Sequence, residues 1–125
     1  MVLLESQIKL KAGDIAPSFE LLGIDDKKHS LEEYKKYKGL LVIFMCNHCP
    51  YVQAIWDKLV MLQEKYADEG VRFVGINPNT ANPEYHDETF EAMKEYAQEY
   101  DMNFPYLDDA DQMVAKAYEA QCTPD

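Results

Sequence analysis

Leu40-Leu41-Val42-Ile43-Phe44-Met45-Cys46-Asn47-His48-Cys49-Pro50 decides how the rest of this chain is read. Six apolar residues, 40–45, run without interruption between Gly39 and Cys46. A short run that is apolar on both faces predicts a buried parallel strand. Pro50 suits the first turn of a helix, where a missing N–H costs nothing. Over 50–69, Val52, Ile55, Trp56, Leu59, Leu62 and Tyr66 recur at helical spacing and form one apolar stripe. Cys46 is therefore expected where a strand hands over to an exposed helix start. Unpaired backbone N–H groups and the positive end of the helix dipole favour a negative charge there. The thiolate is the reactive form of cysteine.

Working outward, Gly70 stands where a helix ends. Val71-Arg72-Phe73-Val74-Gly75-Ile76 reads as a second buried strand. Strand, helix and strand over this distance make a right-handed βαβ unit with parallel strands. Residues 77–87 hold Pro78, Pro83 and several Asn and read as a loop. It leaves the sheet edge on which open α/β folds place their sites. Upstream, 1–10 is weakly patterned, as in an extended arm. Phe19 and Leu21 alternate in a short strand, followed by a turn over 23–28. Ser30 and Glu33 fit a capping box, so 29–34 is a second short strand or a helix start. Downstream, Phe90, Met93, Tyr96 and Ala97 share one face of a helix over 90–100. Residues 104–107 are extended. Asp108, Asp109 and Asp111 offer caps and N-terminal acids for a short helix reaching Tyr118. The 125 residues suit one compact domain, without an internal repeat or linker.

The net charge of −11 argues against nonspecific binding to nucleic acid or to an anionic membrane. It also opposes a thiolate from a distance, so any stabilisation of one must be local. The longest apolar run is far short of a membrane span. Glu5, Gln7 and Lys9 break up the first residues, which do not read as a signal peptide. Three cysteines are an odd number. In such a chain they predict a reactive or metal-binding pair in the cytoplasm, not a disulfide framework.

A Cys-x-x-Cys at a strand-to-helix junction inside a βαβ unit is a redox signature. Cys46 would attack a substrate disulfide, and Cys49, one turn deeper, would attack the mixed disulfide. His48 as imidazolium would stabilise the Cys46 thiolate, which neutral Asn47 cannot do. A stabilised thiolate makes the couple more oxidising, with an expected potential above the roughly −270 mV of thioredoxin. The bland alternatives are a zinc half-site and a structural pair of buried thiols. A closed zinc site usually needs two close pairs of ligands. Cys122 has no neighbouring cysteine and His86 stands alone, so no metal is expected. Cys122 reads equally as a core residue or as an extra thiol near the site. His86-Asp87-Glu88 reads as a solvated loop, because consecutive residues do not face one another on a helix. His29 reads as a surface residue. Trp56 and the nine tyrosines read as packing.

Several segments together resemble a known family. Ala12-Gly13-Asp14-Ile15-Ala16-Pro17-Ser18-Phe19-Glu20-Leu21 is similar to the opening of redoxins, the thioredoxin-like branch that includes alkyl hydroperoxide reductase and thiol-specific antioxidant proteins. Phe44-Met45-Cys46-Asn47-His48-Cys49-Pro50-Tyr51-Val52 resembles a bacterial redoxin-domain subgroup, as do Gly75-Ile76-Asn77-Pro78-Asn79 and Phe104-Pro105-Tyr106-Leu107. The resemblance implies an α/β, thioredoxin-like fold, a mixed central sheet flanked by helices, with an N-terminal β-hairpin extension. It implies Cys46 as nucleophile and Cys49 as resolving thiol. Thr123-Pro124 resembles the dipeptide at the family's cis-proline, which would put Pro124 beside Cys46 and Cys122 near the site. Two more strands and a helix would follow Asp125 in the family, and without them a sheet edge stays uncovered. The 125 residues are thus expected to be C-terminally incomplete, and to fold poorly alone or to pair as a homodimer.

The implied activity is cytoplasmic thiol–disulfide exchange on a protein or small-molecule disulfide, with a thiol electron donor and no cofactor. A thiol peroxidase and a redox-inactive interaction module are the alternatives. Peroxiredoxins place threonine three residues, and proline seven residues, before the peroxidatic cysteine. Those positions hold Ile43 and Gly39 before Cys46, and Cys46 and Val42 before Cys49. The hydroxyl that would orient a peroxide is absent at that spacing.

Overall fold

The computed structural model describes residues 10–125, so the arm expected over 1–10 lies, apart from Leu10, outside the described residues. The expected N-terminal hairpin is present: β1 (Glu20–Gly23) pairs antiparallel with β2 (Lys28–Ser30). A 3₁₀ turn, Leu31–Tyr34, follows, and the Ser30 N–H donates to the Glu33 carboxylate at 3.0 Å. The central unit is β3 (Gly39–Phe44), α1 (Pro50–Ala67) and β4 (Val71–Asn77), with β3 and β4 parallel from Gly39 opposite Val71 to Phe44 opposite Ile76. Gly70 joins α1 to β4 at φ +82°, a backbone conformation that glycine adopts without steric cost. A second 3₁₀ turn (His86–Glu88), α2 (Phe90–Glu99), β5 (Tyr106–Asp108) and α3 (Met113–Ala117) complete the chain.

The sheet order is β2-β1-β5-β4-β3, with β5 parallel to β4 and antiparallel to β1. This is the mixed sheet flanked by helices that the resemblance implied. Side chains alternate across the strands. Ile43 and Phe73 face a core with Val52, Trp56 and Leu59 of α1 and Met93 and Ala97 of α2. Phe44, Val74 and Ile76 face a second core with Phe19, Tyr34, Val114 and Ala115. Burial on both faces is what the uninterrupted apolar runs encode. The run in β3 is only half covered, however, because β3 is an outer strand: Leu41 is 44% exposed, whereas Ile43 and Phe44 are buried. At that outer side Phe44 and Asp125 exchange backbone N–H···O bonds of 3.0 Å each, an antiparallel pairing.

Two local fits pack neighbouring segments against β4. A Cβ on Gly75 would lie 2.8 Å from the Met45 sulfur, so glycine lets Met45 lie flat on β4. β5 reaches only Gly75–Asn77, leaving the first half of β4 without a strand on that side. Gln63 of α1 fills the gap: its Nε2 donates to the Val71 carbonyl at 3.0 Å and its Oε1 accepts the Phe73 N–H at 2.8 Å. The expected acidic caps of α3 are rearranged. Gln112, at φ 62°, is the N-cap, and the buried Asp109 carboxylate reaches forward to the N–H groups of Val114 (3.1 Å) and Ala115 (2.8 Å).

Replacing Gln63 with Leu keeps the side chain's bulk but strands two backbone groups, the buried Phe73 N–H and the part-buried Val71 carbonyl. Each costs about 1–3 kcal/mol, so a loss of about 2–6 kcal/mol is expected. It would be read as a lower urea midpoint with an unchanged m-value.

Candidate active site

β3 ends at Phe44, and the Met45 N–H extends the ladder by one bond, to the Ile76 carbonyl at 2.9 Å. Cys46, Asn47 and His48 form the turn into α1. Cys49 is the N-cap, with Pro50 in the first turn. Cys49 thus stands before the helix, not one turn inside it. Cys46 is not exposed as the sequence predicted: it is 1% accessible and Cys49 9%, both packed into the core with Met45, Val52 and Trp56. Both are free thiols.

The Thr123–Pro124 peptide is cis, as the resemblance implied, and this segment meets the pair through Thr123 rather than through the expected Pro124. Thr123 makes the contacts. Its Oγ1 lies 3.3 Å from the Cys46 sulfur, and its carbonyl accepts from the Cys49 thiol at 3.5 Å. Thr123 and the half-buried Cys122 also line a cavity of about 400 Å³ with Pro78, Asn79, Gln112 and Lys116. The third thiol therefore sits beside the site. His86 and Asp87 are exposed, as expected of a loop.

Glu88, the third member of that acidic stretch, is not solvated. It is fully buried, and its carboxylate turns back onto the residues between the cysteines. Oε1 accepts from the Asn47 N–H at 2.7 Å and from the Asn77 amide at 3.0 Å. Oε2 accepts from the His48 N–H at 2.8 Å and pairs with His48 Nδ1. The network continues through buried groups. The Tyr106 hydroxyl donates to Asn47 Oδ1 at 2.8 Å and accepts from the Asn77 amide at 3.2 Å. Asn47 Nδ2 donates to the Asp87 carbonyl at 2.9 Å, and Gln53 Nε2 to the Asn47 carbonyl at 2.8 Å. The His48 ring also lies against Tyr85, centroid to centroid 4.5 Å. Tyr85 and Tyr106 are thus part of the site and not packing alone. Trp56 is packing as expected: fully buried, it stacks on Tyr100 at 4.6 Å. His29 is less exposed than expected, bridging Asp25 and Glu33 with 2.9 Å contacts to each.

These surroundings reverse the expected electrostatics of Cys46. Burial, with smaller contributions from the charges of Glu88 and Cys49, pushes its thiol up to about 12, and the Thr123 hydroxyl only partly offsets this. The His48 ring is paired to Glu88 and so is not a free cation for the thiolate. Burial, then the Glu88 charge, also holds the Tyr106 hydroxyl well above its ordinary value. Cys46, His48 and Glu88 bring one sulfur, one ring nitrogen and one carboxylate oxygen within 4.8 Å of one another, a donor set that could hold a metal ion. Binding one would require the His48–Glu88 pair to open.

A cysteine pair at a strand-to-helix turn, faced by a cis Thr-Pro segment, agrees with the comparison of whole sequences: the AhpC/TSA family pattern matches residues 12–125. The chain belongs to the AhpC/TSA family. Within this thioredoxin-like group it is similar to a conserved protein of Geobacillus kaustophilus, 42% identical with a TM-score of 0.93, covering 100% of this chain and 66% of that one. It is 27% identical over 110 residues to the thiol-disulfide oxidoreductase ResA of Bacillus thuringiensis subsp. konkukian, covering 88% of this chain and 58% of ResA. The chain therefore spans a little over half the length of the curated relatives it matches. A secreted disulfide oxidoreductase of Mycobacterium tuberculosis shares the fold at 22% identity and a TM-score of 0.70, covering 85% of this chain and 71% of that one.

With its thiol held near 12, Cys46 should react with iodoacetamide slowly at pH 7, about tenfold faster per pH unit up to pH 9. A rate at pH 7 already equal to that at pH 9 would contradict this. The sign for stability follows. A folded pKa raised above the ordinary 9.0 leaves stability intact below that value and removes it as pH climbs toward 12. Reduced protein should lose stability over that window, and Cys46→Ser should lose less.

Proposed function

We propose that this chain is a thiol–disulfide oxidoreductase that carries two electrons on the Cys46–Cys49 dithiol. The observation that carries the reading is the pair of free thiols, both held by one residue, Thr123, at 3.3 Å and 3.5 Å. The Cys46 thiolate attacks one sulfur of a substrate disulfide; a Cys46–substrate disulfide forms and the other substrate sulfur leaves as a thiolate. The Cys49 thiolate then attacks the Cys46 sulfur, and the Cys46–Cys49 disulfide forms as the second substrate thiolate leaves. The substrate gains two electrons and takes up the two thiol protons, and the protein is oxidised. A thiol donor returns it to the dithiol by the reverse exchange.

The oxidising poise expected for the centre required a stabilised thiolate, and the surroundings of Cys46 raise its thiol instead. The cavity beside Thr123 and Cys122 is the seat we assign to the substrate disulfide. The reading takes the cytoplasm as the compartment, where thiols stay reduced. A thiol peroxidase is the second reading, because Thr123 supplies to Cys46 the hydroxyl that the preceding residues lack.

The test is reduction of a model disulfide coupled to a dithiol donor. Cys46→Ser should lose turnover entirely. Cys49→Ser should accumulate a mixed disulfide at Cys46, visible by intact mass. Equal turnover in both variants and the wild type would refute the proposal, and Cys46-dependent consumption of peroxide without disulfide reduction would favour the peroxidase.

A further inference from the structure

Cys46, His48 and Glu88 bring three kinds of metal ligand to one point, from the cysteine turn and from a loop 40 residues further along. A sulfur, a ring nitrogen and a carboxylate oxygen lie within 4.8 Å of one another. A tetrahedral zinc ion, with bonds of about 2.0–2.3 Å, spaces such atoms about 3.3–3.6 Å apart. The cluster is therefore near ligand spacing, and an ion enters once the His48 ring swings off Glu88. The ring has room to do so, because its side chain is 36% exposed and lies against Tyr85. Glu88 does not have to move. Three N–H donors, from Asn47, His48 and Asn77, already hold its carboxylate, and ligating carboxylates are held by such bonds. Oε2 accepts only the His48 N–H among them, so its second lone pair, turned to His48 Nδ1, is the one a metal takes. Charge favours the ion as well. Buried charges are paired or coordinate metals, and a thiolate, a carboxylate and a neutral imidazole together balance a divalent cation. Thiolate and imidazole suit zinc, whereas magnesium and calcium take oxygen ligands.

We propose that Cys46, His48 and Glu88 form a binding site for a divalent transition-metal ion of the zinc class, with the fourth position left to water. On binding, the Cys46 S–H bond is exchanged for a metal–sulfur bond and its proton passes to water. The proton on His48 Nδ1 passes to Nε2 or to water as the metal–nitrogen bond forms. No electron moves. The site exists only in the dithiol form, because a Cys46–Cys49 disulfide has no thiolate to offer. Metal and substrate disulfide thus compete for one sulfur: a bound ion keeps the pair out of exchange, and oxidation of the pair releases the ion. Binding itself needs only the three side chains and stands apart from the exchange activity proposed above; the competition rests on that reading.

The experiment titrates the reduced full chain with Zn²⁺ by calorimetry and with Co²⁺ by absorbance. One ion per chain should bind. Co²⁺ should show the intense sulfur-to-metal charge-transfer band of a cobalt thiolate, and Cys46→Ser should lose that band. His48→Ala and Glu88→Gln should each weaken Zn²⁺ binding at least about tenfold, the least that loss of a group merely orienting a ligand costs. The His48 side chain is partly exposed, so His48→Ala tests the site even if Glu88→Gln does not fold. His86→Gln, which removes an exposed imidazole from the same loop, should bind as the wild type does. Oxidising the pair to the disulfide should release the ion. Co²⁺ binding without the thiolate band, a smaller loss than this in His48→Ala, or Zn²⁺ retained by the disulfide form would overturn the proposal. Zn²⁺ binding without disulfide turnover would support the site and refute the proposed function. Turnover without Zn²⁺ binding would overturn the site alone.

Discussion

The Glu88 carboxylate is the constraint around which the catalytic edge of this protein is arranged. A buried carboxylate costs several kcal/mol unless its lone pairs are met by donors. Meeting them fixes three other segments. Asn47 and His48 must turn their N–H groups inward between β3 and α1. Asn77 must end β4 with its amide aimed at Oε1. Tyr106 must enter β5 with its hydroxyl between Asn47 and Asn77. The conformation of the cysteine turn is thus set largely from outside it. The loop that follows β4 has to close over the turn to deliver Glu88.

Two physical effects compete at Cys46, and their sizes decide the outcome. A helix start favours a nearby negative charge by about 0.3–1 kcal/mol, and up to about 2 kcal/mol in favourable buried geometry. Burial and the neighbouring charges move the thiol from 9.0 to about 12, a difference of about 4 kcal/mol. The helix effect is the smaller one. It is weakened further because the helix begins at Pro50, and because Glu88 already occupies the N–H groups ahead of it. A reading based on the helix start alone therefore gets the sign of the Cys46 environment wrong.

That contrast marks how far the sequence could be read. The βαβ unit was legible because apolar periodicity is a local property, and α1, β4 and α2 lie where the pattern places them. The Cys-x-x-Cys was legible because its two cysteines lie three positions apart in the chain. Glu88 was not, because its partners at Asn47 and His48 lie 41 and 40 residues away. A rule about neighbours on one helix does not reach that far. Tyr106 and Tyr85 failed for a related reason: an amphipathic ring at helical or strand spacing looks the same whether its polar end meets water or a buried amide. The only warning in the sequence was an acid, Glu88, directly before the helix cap Thr89 and its apolar face.

Thr123 carries the same lesson with the opposite sign. The residues before Cys46 hold no hydroxyl at the peroxiredoxin spacing, but the fold brings one from 77 residues later. Thr123 and Glu88 thus reach one sulfur from two distant parts of the chain. The hydroxyl favours the thiolate by a hydrogen bond, and the carboxylate disfavours it by charge. Neither contact depends on the identity of the two residues between the cysteines, except that His48 supplies the counter-ion to Glu88. Chemistry at Cys46 is therefore tuned by what covers the motif more than by the motif itself. Two chains with the same four residues, Cys-Asn-His-Cys, can differ in the environment of the first thiol by whatever their equivalents of Glu88 and Thr123 contribute.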